Sequence, residues 1–126
     1  MQNTLEAFEN QQFISIETFR KSGVGVKTPV WFARDADALY IWTEAQSGKA
    51  KRIRNNPDVK LAPAKADGTP LGEWVPAKAN ADESDEALKH VKDLLKKKYG
   101  TQFAMFGLMG KMRGAKYTSI RLQVEG

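Results

Sequence analysis

The sequence predicts a small, mainly β protein: a closed or partly split antiparallel barrel of six strands with accessory helices. Three observations support this fold class. Six runs of β-branched and aromatic residues are separated by turn signals along the chain. One long segment has helical periodicity. Three prolines fall inside strand-like runs, and prolines in sheets occur at edges, at bulges or at the seam where a barrel opens. These are Pro29, Pro63 and Pro76.

Length and composition limit the classes of protein. We expect residues 1–126 to form one domain, because no linker, repeat or low-complexity tract divides them. A net charge of +5 favours an anionic ligand. The absence of cysteine excludes disulfides, zinc-thiolate sites and thiol catalysis. No apolar run reaches the length of a membrane span, and the N-terminus lacks the features of a signal peptide. We therefore expect a cytoplasmic protein with no membrane partner.

Six segments have the composition of β-strands. They are residues 13–19, 24–34, 39–43, 59–65, 71–79 and 117–124. The second segment is interrupted at Thr28-Pro29, where we expect a broken ladder with free backbone groups. The short connection at residues 35–37 favours a hairpin between the second and third segments. Asp67-Gly68 indicates a turn between the fourth and fifth.

The main helix is predicted from Asp82 to Tyr99, after a short N-terminal helix that Thr4 can cap. Acidic residues at its start and three lysines at its end both suit the helix dipole, and Gly100 provides the stop. Five apolar residues share one face, so the helix should cover the sheet as a lid. They are Leu88, Val91, Leu94, Leu95 and Tyr99. His90, the only histidine, lies away from the centre of that face, so we expect it at the surface with no catalytic role.

A second, basic helix is predicted at residues 48–54, with Ser47 as its N-cap. Cations crowd its first turns, where the helix dipole is positive and disfavours them. Lys49 and Arg52 share a face, whereas Lys51 points elsewhere. A bound anion would explain this arrangement, held by free backbone N–H groups, the Ser47 hydroxyl and the two cations. A solvated basic face is the alternative, and the segment alone favours neither.

Three motifs in order resemble one known family. They are Lys27-Thr28-Pro29-Val30-Trp31, then Leu39-Tyr40-Ile41-Trp42-Thr43, then Ser47-Gly48-Lys49-x-x-Arg52-x-x-Asn55-Asn56-Pro57. Together they are similar to the pyridoxamine-phosphate-oxidase-like split β-barrel family, and to its small branch of flavin- or deazaflavin (F-420)-dependent oxidoreductases. The resemblance covers most of the chain, and the Ser-x-Lys followed by Asn-Pro is its most specific part.

The resemblance implies an FMN-binding split barrel and a homodimer with cofactor sites at the subunit interface. The implied cofactor is FMN or a deazaflavin of the F-420 type. Its phosphate would be held by Ser47, Lys49 and Arg52. The ring system and ribityl chain would lie along Thr28, Pro29, Val30, Trp31 and Thr43. Arg20, which belongs to the same matching pattern, completes the expected cofactor-binding set.

The implied activity is hydride transfer to or from a small organic substrate, so we assign no catalytic side chain. No paired carboxylates, nucleophile–base pair or metal cluster occurs at diagnostic spacing. The candidates for a substrate slot are Trp31, Trp42, Trp74, Tyr99 and residues 103–112, although such residues in a small barrel are more often core. The chain is too short for the C-terminal substrate-binding segment of true pyridoxamine phosphate oxidases, so vitamin B6 oxidation is not expected.

Two other functions stay open. The first is a non-enzymatic barrel that stores or senses flavin. The second, less favoured, is a small barrel that binds nucleic acid through residues 49–54, and we expect no nucleic-acid partner. Residues 102–112 are too apolar for an exposed loop and too rich in glycine for a regular helix. We expect them to pack against the barrel or a second subunit.

Overall fold

The computed structural model describes residues 4–103 and 116–125. The strands are β1 (Phe13–Phe19), β2 (Gly25–Trp31), β3 (Ala33–Asp35), β4 (Ala38–Glu44), β5 (Asp58–Ala64), β6 (Val75–Asp82) and β7 (Tyr117–Val124). The helices are a 3₁₀ helix at Thr4–Phe8, α1 (Gly48–Asn55) and α2 (Asp85–Tyr99). The strands form one antiparallel sheet in the order β2-β1-β5-β6-β7-β4-β3.

The sheet curls around an apolar core, which confirms the prediction of a mainly β split barrel. Its fully buried side chains come from β1, β4, β5 and β7; they include Ile14, Ile16, Leu39, Ile41, Leu61, Ile120 and Leu122. The number of strands differs from the prediction, because the described part of the chain has seven strands instead of six. The additional strand comes from the segment at residues 24–34, which was predicted to be a single strand.

That segment is divided at Phe32 and not at Thr28-Pro29. Residues 25–31 pair with β1 in unbroken register, with Pro29 opposite Ser15. Because β2 is at the edge of the sheet formed by the described residues, a proline there removes no bond to a second described strand. The expectation of a broken ladder at Thr28-Pro29 was therefore wrong.

Phe32 leaves the sheet because its backbone groups bind side chains of α2. Its N–H donates to the Tyr99 hydroxyl at 3.1 Å, and its carbonyl oxygen accepts from the Lys98 ammonium at 2.8 Å. A buried backbone group needs a partner, and here the partners are not strand neighbours. The chain then resumes as β3, which pairs with β4 in the predicted hairpin.

The fifth predicted strand is also displaced, since β6 begins at Val75 rather than Leu71. Leu71 instead donates its N–H to the Pro63 carbonyl at 2.6 Å, beside the predicted turn at Asp67-Gly68. β6 then continues to Asp82, which pairs with Ser119 of β7. This pairing explains why α2 begins at Asp85, after Ser84 as N-cap, and not at Asp82.

α2 covers the sheet as predicted. Its buried residues Val91, Leu95 and Tyr99 form a second apolar cluster with Tyr40 and Trp42 of β4. Successive residues of a strand point to opposite faces, so β4 contributes alternately to this cluster and to the barrel core. In the described ranges, no helix is both long and apolar enough to cross a membrane. The expectation for residues 102–112 lies, from residue 104 onward, outside the described residues.

Candidate functional site

A cavity of about 390 Å³ lies where β2 and β4 meet the N-terminal turn of α1. α2, β1 and β7 complete its wall. The wall is mainly apolar and aromatic, with a few polar groups, as in many small-molecule sites. Its lining residues are Phe13, Pro29, Val30, Trp31, Trp42, Thr43, Glu44, Lys49, Leu95, Phe103 and Tyr117.

Trp31, which lines the cavity, is held in place by α2. Trp31 lies parallel to Tyr99, with ring centroids 4.3 Å apart and planes within 6°. The Tyr99 hydroxyl accepts from the N–H of Phe32 and donates to the carbonyl of Gln12 at 2.6 Å. Burial raises the pKa of Tyr99 to about 12, so the phenol keeps its proton at neutral pH. These bonds hold the Tyr99 ring in place, and Trp31 stacks on that ring.

Trp42 is a second aromatic residue that lines the cavity. Its ring centroid lies 5.0 Å from that of Phe103 and 4.2 Å from that of Tyr117. Its indole N–H is buried and, in the part of the chain that the structure describes, has no hydrogen-bond acceptor. A buried donor without a partner is uncommon and costs about 1–3 kcal/mol.

α1 begins at the mouth of the cavity because Ser47 caps it. The Ser47 hydroxyl oxygen accepts from the N–H of Ala50 at 3.1 Å, as predicted for an N-cap. Ala50 and Ile53 are buried and attach the helix to the barrel. Lys49 therefore faces the cavity, whereas Lys51 is exposed to solvent. The exposure of Lys51 agrees with the prediction that it points away from Lys49.

Lys49 and Arg52 form a pair of half-buried cations. Burial and, second, the charge of Arg52 lower the pKa of Lys49. Neither side chain forms an ion pair with a carboxylate among the residues described. Two like charges that are partly removed from water destabilise the fold unless an anion lies between or beside them. The arrangement therefore suits an anionic group beside Lys49 and Arg52.

The structure brings together part of the predicted cofactor-binding set. Pro29, Val30, Trp31, Thr43 and Lys49 line the cavity. Ser47, the N-cap of α1, and Arg52 in α1 are close to Lys49 in the chain, but neither residue lines the cavity. Thr28, on β2, and Arg20, exposed in the turn after β1, also lie outside the lining. The cofactor roles of all nine residues stay predictions.

Sequence reasoning missed four lining residues: Phe13, Glu44, Leu95 and Tyr117. They come from β1, β4, α2 and β7, which only the fold brings together. Leu95 was predicted to be buried as part of the apolar face of α2, but its position at the cavity depends on how α2 is placed. Trp74, a candidate for the substrate slot, does not line the cavity and instead lies under the ammonium of Lys27 at 5.1 Å.

His90 lies at the surface of α2, as expected, and does not line the cavity. Its side chain is 41% exposed, and its Nε2 is 2.7 Å from a carboxylate oxygen of Asp35 on β3. Its ring also meets that of Tyr40 edge-on at 4.8 Å. In the described ranges, no group of three or more histidine, aspartate and glutamate residues could hold a metal ion.

Comparisons with known proteins agree with this fold. The family model described as "Pyridoxamine 5'-phosphate oxidase" matches residues 1–126. No curated protein sequence matches the chain. One similar solved structure is a putative 5-nitroimidazole antibiotic resistance protein from Bacteroides thetaiotaomicron, at 13% identity and a TM-score of 0.71. That alignment covers 100% of this chain and 81% of the other.

Two further structures share the fold. The heme storage protein HutZ from Vibrio cholerae is 15% identical, with a TM-score of 0.73, over 98% of this chain and 88% of that chain. An F420 reductase is 16% identical, with a TM-score of 0.63, over 97% of this chain and 93% of that chain. At these identities the likeness concerns the fold alone.

Proposed function

The chain belongs to the pyridoxamine 5'-phosphate oxidase family, and we propose that it binds FMN or a deazaflavin of the F-420 type as an oxidoreductase. In this role it transfers a hydride to or from a small organic substrate. The observation that carries the proposal is a pair of cations beside an aromatic cavity: Lys49 lines the cavity, and Arg52 lies close enough to lower the pKa of Lys49. A ligand that joins a planar ring to a phosphate matches both parts.

The residues present fit such a cofactor. Lys49, Arg52 and the Ser47 hydroxyl would hold the phosphate, because charge-assisted hydrogen bonds suit phosphate oxygens. The apolar wall of Pro29, Val30 and Trp31 would exclude water from the ring. When bound, a flavin or deazaflavin supplies the hydride chemistry, and the chain supplies binding and orientation.

The proposal extends to a homodimer in the cytoplasm, with the cofactor at the interface between subunits. β2 supports the dimer, since it is an edge strand that also contributes Pro29, Val30 and Trp31 to the cavity. A second chain that packs against β2 would lie next to the proposed cofactor site.

A non-catalytic cofactor holder is the second candidate. The similar fold described as a heme storage protein shows that this architecture also occurs in storage proteins. No lining residue has an assigned catalytic role, so the cavity also suits a protein that holds a cofactor without turnover.

Cofactor titration and turnover test the two candidates. Apo-protein is titrated with FMN, with F-420 and with riboflavin, which lacks the phosphate, and binding is followed by flavin fluorescence. We expect FMN or F-420 to bind at micromolar concentration and riboflavin to bind more weakly. If neither phosphate-bearing cofactor binds, the proposed function is wrong. If one binds but artificial electron acceptors are reduced no faster than by free cofactor, the storage role is the better account.

A further inference from the structure

Arg52 reaches from α1 to the inside of the barrel. Its Nε–H donates to the Thr18 hydroxyl oxygen on β1 at 2.7 Å. Thr18 is 1% exposed and alternates with Ile14 and Ile16, so it occupies a core position where an apolar side chain would normally pack. A hydroxyl at such a position destabilises the fold unless it forms a hydrogen bond. Here the bond is to Arg52.

Gly48 makes room for the same guanidinium. A Cβ atom at this position would lie 2.8 Å from Nη1 of Arg52, closer than such atoms normally approach, so the guanidinium would have to shift. The backbone at Gly48 is not in the left-handed region, so its dihedral angles do not require glycine. Glycine in a helix costs about 1 kcal/mol relative to alanine. The close approach of Arg52 would explain why glycine, and not alanine, occupies this position.

The two contacts leave the outer edge of the guanidinium available. Nε is used by Thr18, whereas Nη1 and Nη2 have no carboxylate partner among the residues described. They lie at the first turn of α1, next to Gly48 and close enough to Lys49 to lower its pKa. A guanidinium held at Nε can offer its two terminal nitrogens to one anion in a fixed orientation.

We propose that Thr18 and Gly48 are positioning residues for the anion site: they hold Arg52 over the N-terminal turn of α1, where it is the second cation for the cofactor phosphate. This deepens the proposed function and rests on it. Thr18 acts from the barrel interior through Arg52 and does not contact the ligand. A purely structural Thr18–Arg52 bond, which only ties α1 to β1, is the alternative.

The positioning role and the purely structural role predict different effects on ligands with and without a phosphate. Thr18→Val keeps the shape of the side chain and removes the acceptor, while Thr18→Ser keeps the acceptor. We expect Thr18→Val to weaken FMN binding about tenfold and to leave riboflavin binding within about twofold, because only FMN carries the phosphate. Thr18→Ser should restore most of the FMN affinity. Equal losses for FMN and riboflavin would show a structural role and overturn the proposal.

Gly48→Ala gives an independent test, since it displaces the guanidinium without altering Thr18 or Arg52. We expect the apo-protein to unfold at the same or a higher temperature, because alanine favours the helix, while FMN affinity falls and riboflavin affinity does not. Unchanged FMN affinity in Gly48→Ala would overturn the role of Gly48.

A double-mutant cycle shows whether Thr18 acts through Arg52. In an Arg52→Ala background, Thr18→Val should cause no further loss of FMN affinity. Additive losses would contradict the proposal.

Inorganic phosphate distinguishes failure of the positioning from failure of the proposed function. Amide NMR shifts of residues 47–52 should move on phosphate addition in wild type and move less in Thr18→Val at the same concentration. If wild type shows these shifts but binds neither FMN nor F-420, the cofactor assignment fails and the positioning stands. If phosphate causes no shifts, or equal shifts in both proteins, the positioning fails.

Discussion

Replacing Lys49 should separate stability from cofactor binding. The ammonium of Lys49 is half-buried beside Arg52, and burial and that neighbouring charge lower its pKa. In the apo-protein this charge destabilises the fold, whereas a bound phosphate would accept from it. We therefore expect Lys49→Ala to leave the apo-protein as stable as wild type, or more so, and to weaken FMN binding.

The size of the effect follows from the type of bond lost. A hydrogen bond between a cation and a phosphate oxygen contributes about 1.5–3 kcal/mol, which corresponds to a loss of roughly 10- to 150-fold in affinity. Lys51 is the matched control, since it lies on the same helix but is exposed. Lys51→Ala should change FMN affinity by no more than about twofold.

The pH dependence of stability has a defined sign. Because the pKa of Lys49 in the folded protein lies below its ordinary value of 10.5, the unfolded chain binds this proton more tightly. Stability from this group therefore rises with pH as the pH passes from the lowered pKa toward 10.5. Lys49→Ala should remove that rise relative to wild type.

The assays are FMN and riboflavin titrations by fluorescence, with urea unfolding of the apo-proteins at several pH values. A loss of FMN affinity in Lys51→Ala equal to that in Lys49→Ala would indicate a diffuse basic surface. A loss of riboflavin affinity as large as that of FMN would show that Lys49 does not act on the phosphate. Either result would refute the assigned role.

Four further results are expected. Tyr99→Phe should lower the free energy of unfolding in urea by about 1–3 kcal/mol, because the N–H of Phe32 loses its acceptor. Trp42→Phe should weaken FMN binding in the fluorescence titration, because the smaller ring removes part of the apolar wall of the cavity. His90→Ala should keep cofactor affinity and acceptor reduction within about threefold of wild type, because its contact with Asp35 is partly exposed and away from the cavity. Sedimentation should give a mass near twice 14.1 kDa, and a monomer at micromolar concentration would contradict the proposed dimer.

The features that sequence reasoning predicted correctly depend on neighbours in the chain. The Ser47 cap requires a hydroxyl three residues before the N–H of Ala50, and the separation of Lys49 from Lys51 requires only helical periodicity. The apolar face of α2 likewise follows from the spacing of its own residues. These are local patterns, and local patterns are visible in a sequence.

The features that it missed depend on contacts between distant segments. Phe32 interrupts the strand because it binds Tyr99 and Lys98, which are 67 and 66 residues further along the chain. The bond between Arg52 and Thr18 spans 34 residues, and neither residue shows in the sequence that it needs the other. β-strand alternation alone would predict an apolar residue at position 18.

The sequence by itself thus determined the fold class, the capped basic helix and the apolar face of α2, because each follows from residue type at short spacing. Only the tertiary structure decided where the strand at residues 24–34 divides, which residues line the cavity, and how Arg52 is held. These depend on hydrogen bonds and contacts that form when separate elements meet. A buried polar group takes whatever partner the fold brings within reach, and that partner cannot be read from its neighbours in the chain.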